Sequence, residues 1–206
     1  MTPARPVVVK LGGSLAASPR LPDILARLAD AAMAGMRVVI APGGGPFADA
    51  VRGAQRDHGF DDEAAHDMAL LAMAQYGRML AASATAAPMP AWGETGVAAR
   101  LVSPPGRTIV WLPDPSIDAL DVERSWSVSA DALALWLAAR LEARCVVLVK
   151  SCPAPASQSL LELAAVGIVD AAYPSMAADR TEIATTLVYA ANAEALAHAL
   201  AACRLS

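Results

Sequence analysis

The sequence predicts an α/β protein, a three-layer αβα sandwich whose central sheet is mostly parallel. Two observations predict this class. Five apolar runs are continuous rather than alternating, which is typical of strands that are buried on both faces. Between them lie segments with helical spacing of apolar residues, each long enough to connect two parallel strands. With 206 residues, 56% of them hydrophobic and 17% charged, the chain can bury one core, so we expect a single domain over residues 1–206.

The predicted strands and helices alternate along the chain. The strands are the continuous apolar runs Val7–Leu11, Val38–Ala41, Thr108–Leu112, Cys145–Val149 and Thr185–Tyr189. The helices are the segments with helical periodicity, Leu21–Gly35, Pro46–His58, Asp62–Ala86, Ser129–Ala143 and Ala193–Ala201. This alternation predicts helices on both faces of the sheet. The proline- and glycine-rich segment Pro88–Pro105 predicts a long loop, of the kind that often forms a lid or a binding loop.

Charge and cysteine content narrow the function classes. The formal net charge is −4, and no cluster of lysine and arginine offers a surface for nucleic acid or an anionic membrane. Neither a signal peptide nor an apolar segment of about 18 residues is apparent. The number of cysteines is odd, and none of the three, Cys145, Cys152 and Cys203, forms a CxxC pair. We therefore expect neither a disulfide framework nor a zinc site. These features predict a cytoplasmic protein with small-molecule partners, and the apolar Asp62–Ala86 helix suggests a homo-oligomer.

Glycine clusters follow the first two predicted strands and contain the candidate anion-binding residues Gly12, Gly13, Ser14, Gly43, Gly44 and Gly45. Both clusters lie at carboxyl ends of parallel strands, where open α/β sheets bind ligands. Glycine lets backbone N–H groups approach phosphate oxygens closely, and the positive end of a following helix adds to the attraction. Lys10 precedes the first cluster. Neither cluster matches the P-loop pattern, and the absence of GxGxxG argues against a dinucleotide-dependent oxidoreductase.

Four motifs in order give a resemblance to a known family. They are Val9–Leu15, Ala41–Gly45, Ser129–Asp131 and Val147–Ser151, and together they resemble the amino acid kinase superfamily. The resemblance implies the amino acid kinase fold, ATP-dependent transfer of a phosphoryl group to a small acceptor, and ATP and Mg²⁺ as ligands. We expect Mg²⁺ to bridge the nucleotide phosphates and keep most of its waters, so no dedicated protein metal site is predicted.

The resemblance also implies roles for individual residues. Lys10 would neutralise the transferring phosphoryl group, and the glycine N–H groups would hold its oxygens. Asp131 would orient the lysines rather than abstract a proton. Lys150 would serve on the nucleotide side, and Asp170 is a further candidate for nucleotide binding. Without the family, Asp131 is equally well a charge at a helix start and Lys150 a solvated strand end.

Three segments resemble the kinases of methanofuran biosynthesis more closely: Phe47–Arg52, Ala65–Tyr76 and Ser125–Asp131, together with Gly167–Asp170. These enzymes phosphorylate an aminomethyl-furan-methanol phosphate to its diphosphate. We expect four residues to bind such an acceptor, namely Asp49, Arg52, His66 and Trp126.

Each of these residues has an expected role. Arg52 and His66 would bind the acceptor phosphate. Asp49 or Glu94 would pair with an ammonium group, and Trp126 or Trp92 would stack on the ring. Asp49 and Arg52 at this spacing fit a helix-surface ion pair equally well. An ionised acceptor oxygen needs no general base, and no His/Asp or Ser/His pairing stands out near the glycine clusters.

Two departures from the family pattern keep alternatives open. Cys152 and Pro153 stand where the uridylate-kinase-like branch usually continues with Asp-Gly. Arg180 is the nearest cation to the position of a C-terminal lysine in acetylglutamate-type members. The alternatives are a kinase of uridylate, isopentenyl phosphate or an acylamino acid, and a non-catalytic nucleotide- or oxyanion-binding storage protein on the same fold.

Overall fold

The computed structural model describes residues 5–83, 86–88, 107–115, 121–155 and 157–205. Its strands are β1 (Val7–Leu11), β2 (Val38–Pro42), β3 (Ala86–Pro88), β4 (Thr108–Val110), β5 (Cys145–Lys150) and β6 (Ala184–Tyr189). They form one sheet in the order β3-β4-β2-β1-β5-β6, and every neighbouring pair is parallel. This confirms the predicted αβα class with a parallel sheet.

Helices cover both faces of the sheet. They are α1 (Leu21–Met33), α2 (Gly45–His58), α3 (Asp62–Ser83), α4 (Ala130–Arg140), α5 (Leu160–Ala165), α6 (Tyr173–Ala178) and α7 (Ala193–Leu205), with a short 3-10 turn at Gly13–Leu15. β3, α5 and α6 were not predicted from the sequence, because they are too short for periodicity to reveal. The third helix was predicted to extend to Ala86, but that residue begins β3.

The alternation of side chains along β1 determines which side chains of this strand face α4 and which face α1 and α7. Val8 packs in the core cluster that contains the buried residues of α4. Val7 and Val9 pack in the opposite cluster, with residues of α1 and α7. Because successive side chains of a strand point to opposite faces, Lys10 lies on the same face as Val8, beneath α4. The strand period therefore directs this lysine toward the start of α4.

Two sequence-based expectations need correction or fall outside the described residues. Cys145 at the start of β5 and Cys203 in α7 form a disulfide, with Cα atoms 5.7 Å apart. The expectation of no disulfide is therefore wrong, because the packing of α7 against β5 brings together cysteines that are 58 residues apart. Cys152 is free and exposed. Residues 89–105 of the predicted loop, including Trp92 and Glu94, lie outside the described residues.

Among the described residues, no helix is both long enough and apolar enough to cross a membrane.

Candidate active site

The two glycine loops pack backbone against backbone at the carboxyl ends of β1 and β2. A Cβ atom added to Gly13 would overlap the backbone of Gly45, and one added to Gly43 would overlap the backbone of Gly13. Gly45 also has a φ of +56°, which side-chain-bearing residues rarely adopt. The close approach therefore requires glycine at these positions and brings Gly13 of the first loop against Gly45 of the second. Gly43 donates its own N–H to Leu11 O at 2.8 Å.

The amino end of α2 follows the second loop and faces the same space. Its N-cap is Gly44, and no side chain caps it. The first N–H groups of a helix lack partners within the helix and carry the positive end of the helix dipole. This end of α2 is therefore open to an anion, and the adjacent glycine loops extend the same N–H surface.

A buried cluster of two lysines and one aspartate lies beside the loops. Lys10 Nζ is 2.9 Å from Asp131 Oδ1, and Lys150 Nζ forms an ion pair with Asp131 Oδ2. The three residues are only 7%, 2% and 8% exposed, in the order Lys10, Asp131, Lys150. The register explains the arrangement, because Lys10 lies opposite Leu148 on β5 and Lys150 follows two residues later on the same face. Asp131, in the first turn of α4, lies above both.

The charges in this cluster control one another. Burial would raise the pKa of Asp131, but the ammonium groups of Lys10 and Lys150 outweigh burial and lower it. Burial opposes the charge of Lys10 as well, yet Asp131 and, more weakly, Asp170 keep its pKa above the ordinary lysine value. Burial and the neighbouring Lys10 charge lower the pKa of Lys150 despite its contact with Asp131. Asp131 thus holds two buried ammonium groups in place.

Asp170 binds the amino end of α4 from outside the helix. Its Oδ2 accepts hydrogen bonds from the backbone nitrogens of Ser129, Asp131 and Ala132 at 3.1, 2.9 and 3.0 Å. Its Oδ1 accepts one from Ser129 Oγ at 2.5 Å. Burial, followed by the Asp131 charge, raises the pKa of Asp170 in spite of these bonds. Asp170 therefore fixes the helix end that carries Asp131.

A cavity of about 320 Å³ connects these groups to the helices above. Ten of the residues expected to bind ligands line it: Lys10, Gly13, Ser14, Gly43, Gly44, Gly45, Asp49, Arg52, His66 and Trp126. The other four expected residues lie around it. Gly12 donates its backbone N–H to Val149 O at 3.4 Å. Asp131 and Lys150 are buried beside Lys10, and the half-buried Asp170 lies at the amino end of α4. Ser14 Oγ donates to Ser151 Oγ at 2.9 Å, which links the first loop to the end of β5.

At its far end the cavity is bounded by a chain of contacts from α2. Arg52 Nη1 lies 3.0 Å from Asp49 Oδ1, and the Arg52 guanidinium lies over the Trp126 ring with Cζ 4.4 Å from its centre. Trp126 Nε1 donates to Gln55 Oε1 at 2.8 Å, while Gln55 Nε2 donates to Asp62 Oδ1 at 2.8 Å. Gln55 was not among the residues predicted for the site, although its position three residues after Arg52 places it on the same helical face.

His66 forms part of the wall on the α3 side. It is 5% exposed, and its Nε2 atom is buried without a hydrogen-bond partner. Burial lowers its pKa, against the influence of the Ser125 backbone and of Asp67. Arg124, close to Ser125 in the chain, forms ion pairs with Glu63 and Asp67 of α3. The segment that leads into α4 is therefore fastened to the start of α3.

A model of the amino acid kinase family matches residues 5–154, which is most of the chain and includes both glycine loops, Asp131 and Lys150. The chain belongs to the amino acid kinase family. This membership confirms the predicted superfamily and the predicted class of enzyme, an ATP-dependent kinase that acts on a small acceptor.

Solved structures of other kinases share the fold. Uridylate kinase from Archaeoglobus fulgidus is 18% identical with a TM-score of 0.66, over 93% of this chain and 95% of that one. An isopentenyl phosphate kinase is 16% identical with a TM-score of 0.57, over 94% and 95%. Aspartate kinase from Synechocystis is 18% identical with a TM-score of 0.66, over 90% of this chain but 38% of that one. A comparison with curated proteins finds no match.

Proposed function

We propose that this kinase transfers the γ-phosphoryl group of ATP to the phosphate of an aminomethyl-furan-methanol phosphate, forming a diphosphate in a methanofuran-type cofactor pathway. One observation carries the proposal. The same cavity is lined by Lys10 and the glycine loops at one end and by Arg52 and Trp126 at the other. An acceptor with an anionic group and a ring suits such a cavity.

In this reaction an oxygen of the acceptor phosphate attacks the γ-phosphorus of ATP, and the bond from that phosphorus to the β-phosphate oxygen breaks. The attacking oxygen is already ionised, so no proton has to be removed. A loose transition state of this kind needs alignment and neutralisation of charge. Lys10 supplies a fixed positive charge, and the N–H groups of Gly13, Gly44 and Gly45 supply donors that do not have to reorganise.

ATP and Mg²⁺ are part of the proposal. Lys150 lies at the carboxyl end of β5, next to Lys10, where it would contact the nucleotide phosphates. The carboxylate of Asp131 is engaged by two lysines and that of Asp170 by four donors. Mg²⁺ would accordingly be held by phosphate oxygens and water, and it would add positive charge to the transferring group.

Assembly belongs to the same proposal. Met68 and Leu71 of α3 are large apolar side chains that face solvent, which suits the contact face of a homo-oligomer. Sedimentation of the wild type and a Leu71→Glu variant would test this assembly. The proposal fails if both sediment as the same monomer.

The acceptor is tested by measuring ADP release with aminomethyl-furan-methanol phosphate, uridylate, isopentenyl phosphate and acetylglutamate. We expect turnover with the furan phosphate and a kcat/KM at least tenfold higher than with the other three. A preference for another acceptor would replace the furan assignment. Nucleotide binding without turnover on any acceptor would favour the storage alternative.

A matched pair of variants tests the role of Arg52. Arg52→Ala removes a charged donor from the cavity and should raise the acceptor KM about 10- to 100-fold, the range for a hydrogen bond to a charged group. Arg56→Ala removes an arginine of the same helix that is not among the cavity-lining residues and should leave this KM unchanged. Equal effects of the two variants would remove Arg52 from the acceptor site.

A further inference from the structure

The His66 side chain presents a polar atom that the described part of the protein leaves unused. Its Nε2 atom is buried and has no hydrogen-bond partner, while the residue lines the cavity. A buried polar atom without a partner is costly, and such atoms in native structures are usually satisfied by a ligand or by water. His66 is therefore a candidate for a polar contact with a molecule bound in the cavity.

The surroundings of the ring indicate its tautomer. The Ser125 backbone raises the pKa of His66, as a carbonyl facing a ring N–H does, and since Nε2 has no hydrogen-bond partner, the N–H on that side is Nδ1. In a neutral imidazole with its proton on Nδ1, Nε2 is an acceptor. Nε2 can then pair only with a group that donates a hydrogen.

The charged groups around His66 are consistent with a neutral ring. Asp67 on α3 favours protonation, whereas Arg124 opposes it and burial opposes it most strongly. From the other elements around the cavity, Arg52 and Asp49 of α2 are paired with each other, and Lys10 of β1 is paired with Asp131. No described carboxylate forms an ion pair with His66.

We infer that the acceptor carries a hydrogen-bond donor, an ammonium or hydroxyl group, that binds Nε2 of His66, while its anionic group binds at Lys10, the glycine loops and Arg52. This inference rests on the proposed function and makes the acceptor a molecule with two polar ends. It gives His66 a role different from phosphate binding, because a neutral Nε2 offers a phosphate no hydrogen.

The test compares two acceptors that differ only in the donor, aminomethyl-furan-methanol phosphate and its methyl analogue, which lacks the amine. Binding is measured by calorimetry at pH 7.5 in the presence of a non-hydrolysable ATP analogue. The wild type should bind the amine at least about fivefold more tightly, the lower limit for one buried hydrogen bond. In His66→Leu the two affinities should be equal, and in His66→Gln, whose side-chain oxygen can accept, part of the preference should return.

A surface histidine provides the control. His198→Leu alters an exposed histidine of α7 and should keep the wild-type preference. Equal binding of the two acceptors to the wild type, or an unchanged preference in His66→Leu, would overturn the inference.

The pH dependence separates the two roles of His66. If Nε2 accepts a hydrogen bond, the ratio of the two affinities should fall as the pH is lowered and His66 becomes protonated. The titration of the acceptor phosphate cancels in this ratio. If His66 binds the phosphate as a cation, both acceptors should instead gain affinity in the wild type relative to His66→Leu as the pH falls, and the inference is wrong.

Failure of the proposed function gives a different result. In that case neither compound is phosphorylated, yet a binding preference for the amine that disappears in His66→Leu would still support the inference. If neither compound binds, both the inference and the furan assignment are wrong.

Discussion

Replacing Asp131 by asparagine removes the one carboxylate between two buried ammonium groups. At an effective dielectric constant of about 20, unit charges at the 2.9 Å separation of Lys10 Nζ and Asp131 Oδ1 attract each other by about 6 kcal/mol. Desolvation offsets part of this attraction, and breaking a buried ion pair costs about 3–5 kcal/mol. We expect Asp131→Asn to lower the free energy of unfolding by that amount, which corresponds to a Tm lower by about 6–20 °C.

Urea unfolding at pH 7 measures the change, with Asp23→Asn as the matched control. Asp23 also lies in the first turn of a helix but is exposed, so its removal should cost no more than about 1 kcal/mol. The double variant Asp131→Asn/Lys150→Met should be more stable than Asp131→Asn, because it removes the second unpaired charge. A loss below about 1 kcal/mol for Asp131→Asn, or no gain in the double variant, would refute the reasoning.

Acid should abolish the same stabilisation. The pKa of Asp131 lies below the ordinary value of 3.8, so the ionised carboxylate stabilises the folded protein. This contribution is complete above the unfolded pKa and is lost as the pH falls through the folded one. The difference between wild type and Asp131→Asn should therefore persist at pH 5 and shrink in more acidic buffer. A difference that already disappears near neutrality would contradict the lowered pKa.

Three further substitutions test other parts of the site. Gly13→Ala should abolish activity because its Cβ would overlap the backbone of the second glycine loop. Gly53→Ala in α2 is the control, since a Cβ has room there. This variant should keep its activity and gain about 0.5–1 kcal/mol of stability. Gln55→Leu should raise the acceptor KM about fivefold and leave the ATP KM unchanged, since it removes one hydrogen bond to Trp126; an equal change in both constants would contradict this. Lys150 is proposed to contact the nucleotide phosphates and must be protonated to do so. Because its pKa is below the ordinary 10.5, kcat/KM should fall on the alkaline side before that value. Lys150→Arg should move the fall to higher pH.

The sequence predicted the parts of the molecule that repeat a local pattern. The strands of the central sheet and the glycine loops are of this kind, because continuous apolar runs and glycine clusters are visible within a few residues. The pairing of Lys10 and Lys150 with Asp131 was suggested by family resemblance alone, since its geometry depends on the register of β1 against β5. Local patterns contain no information about such pairings.

What the sequence did not reveal depends on contacts between distant segments. Asp170 was expected to bind nucleotide, and it caps α4 from 39 residues away. Gln55 holds Trp126 across 71 residues. Cys145 and Cys203 meet only because α7 packs against β5. In each case the chemical type of the residue is visible in the sequence, but its partner is set by tertiary packing. A single sequence does not contain that packing information.

The two helix ends at the site explain why the acceptor should be anionic. The amino end of α4 is closed by the carboxylate of Asp170, so its positive dipole attracts no further anion. The amino end of α2 is uncapped and opens on the cavity beside Lys10. The charges of Lys10 and Lys150 are balanced by Asp131 and Asp170, so the attraction for an anion comes from the open end of α2, the glycine N–H groups beside it and the Lys10 ammonium that lines the cavity. A neutral nucleophile would gain little from these positive groups and would need a base, yet Asp49 is engaged with Arg52 and Nε2 of His66 is assigned to a donor at the other end of the acceptor. An ionised oxygen is attracted by the same charges and needs no base, which makes it the nucleophile that this arrangement favours.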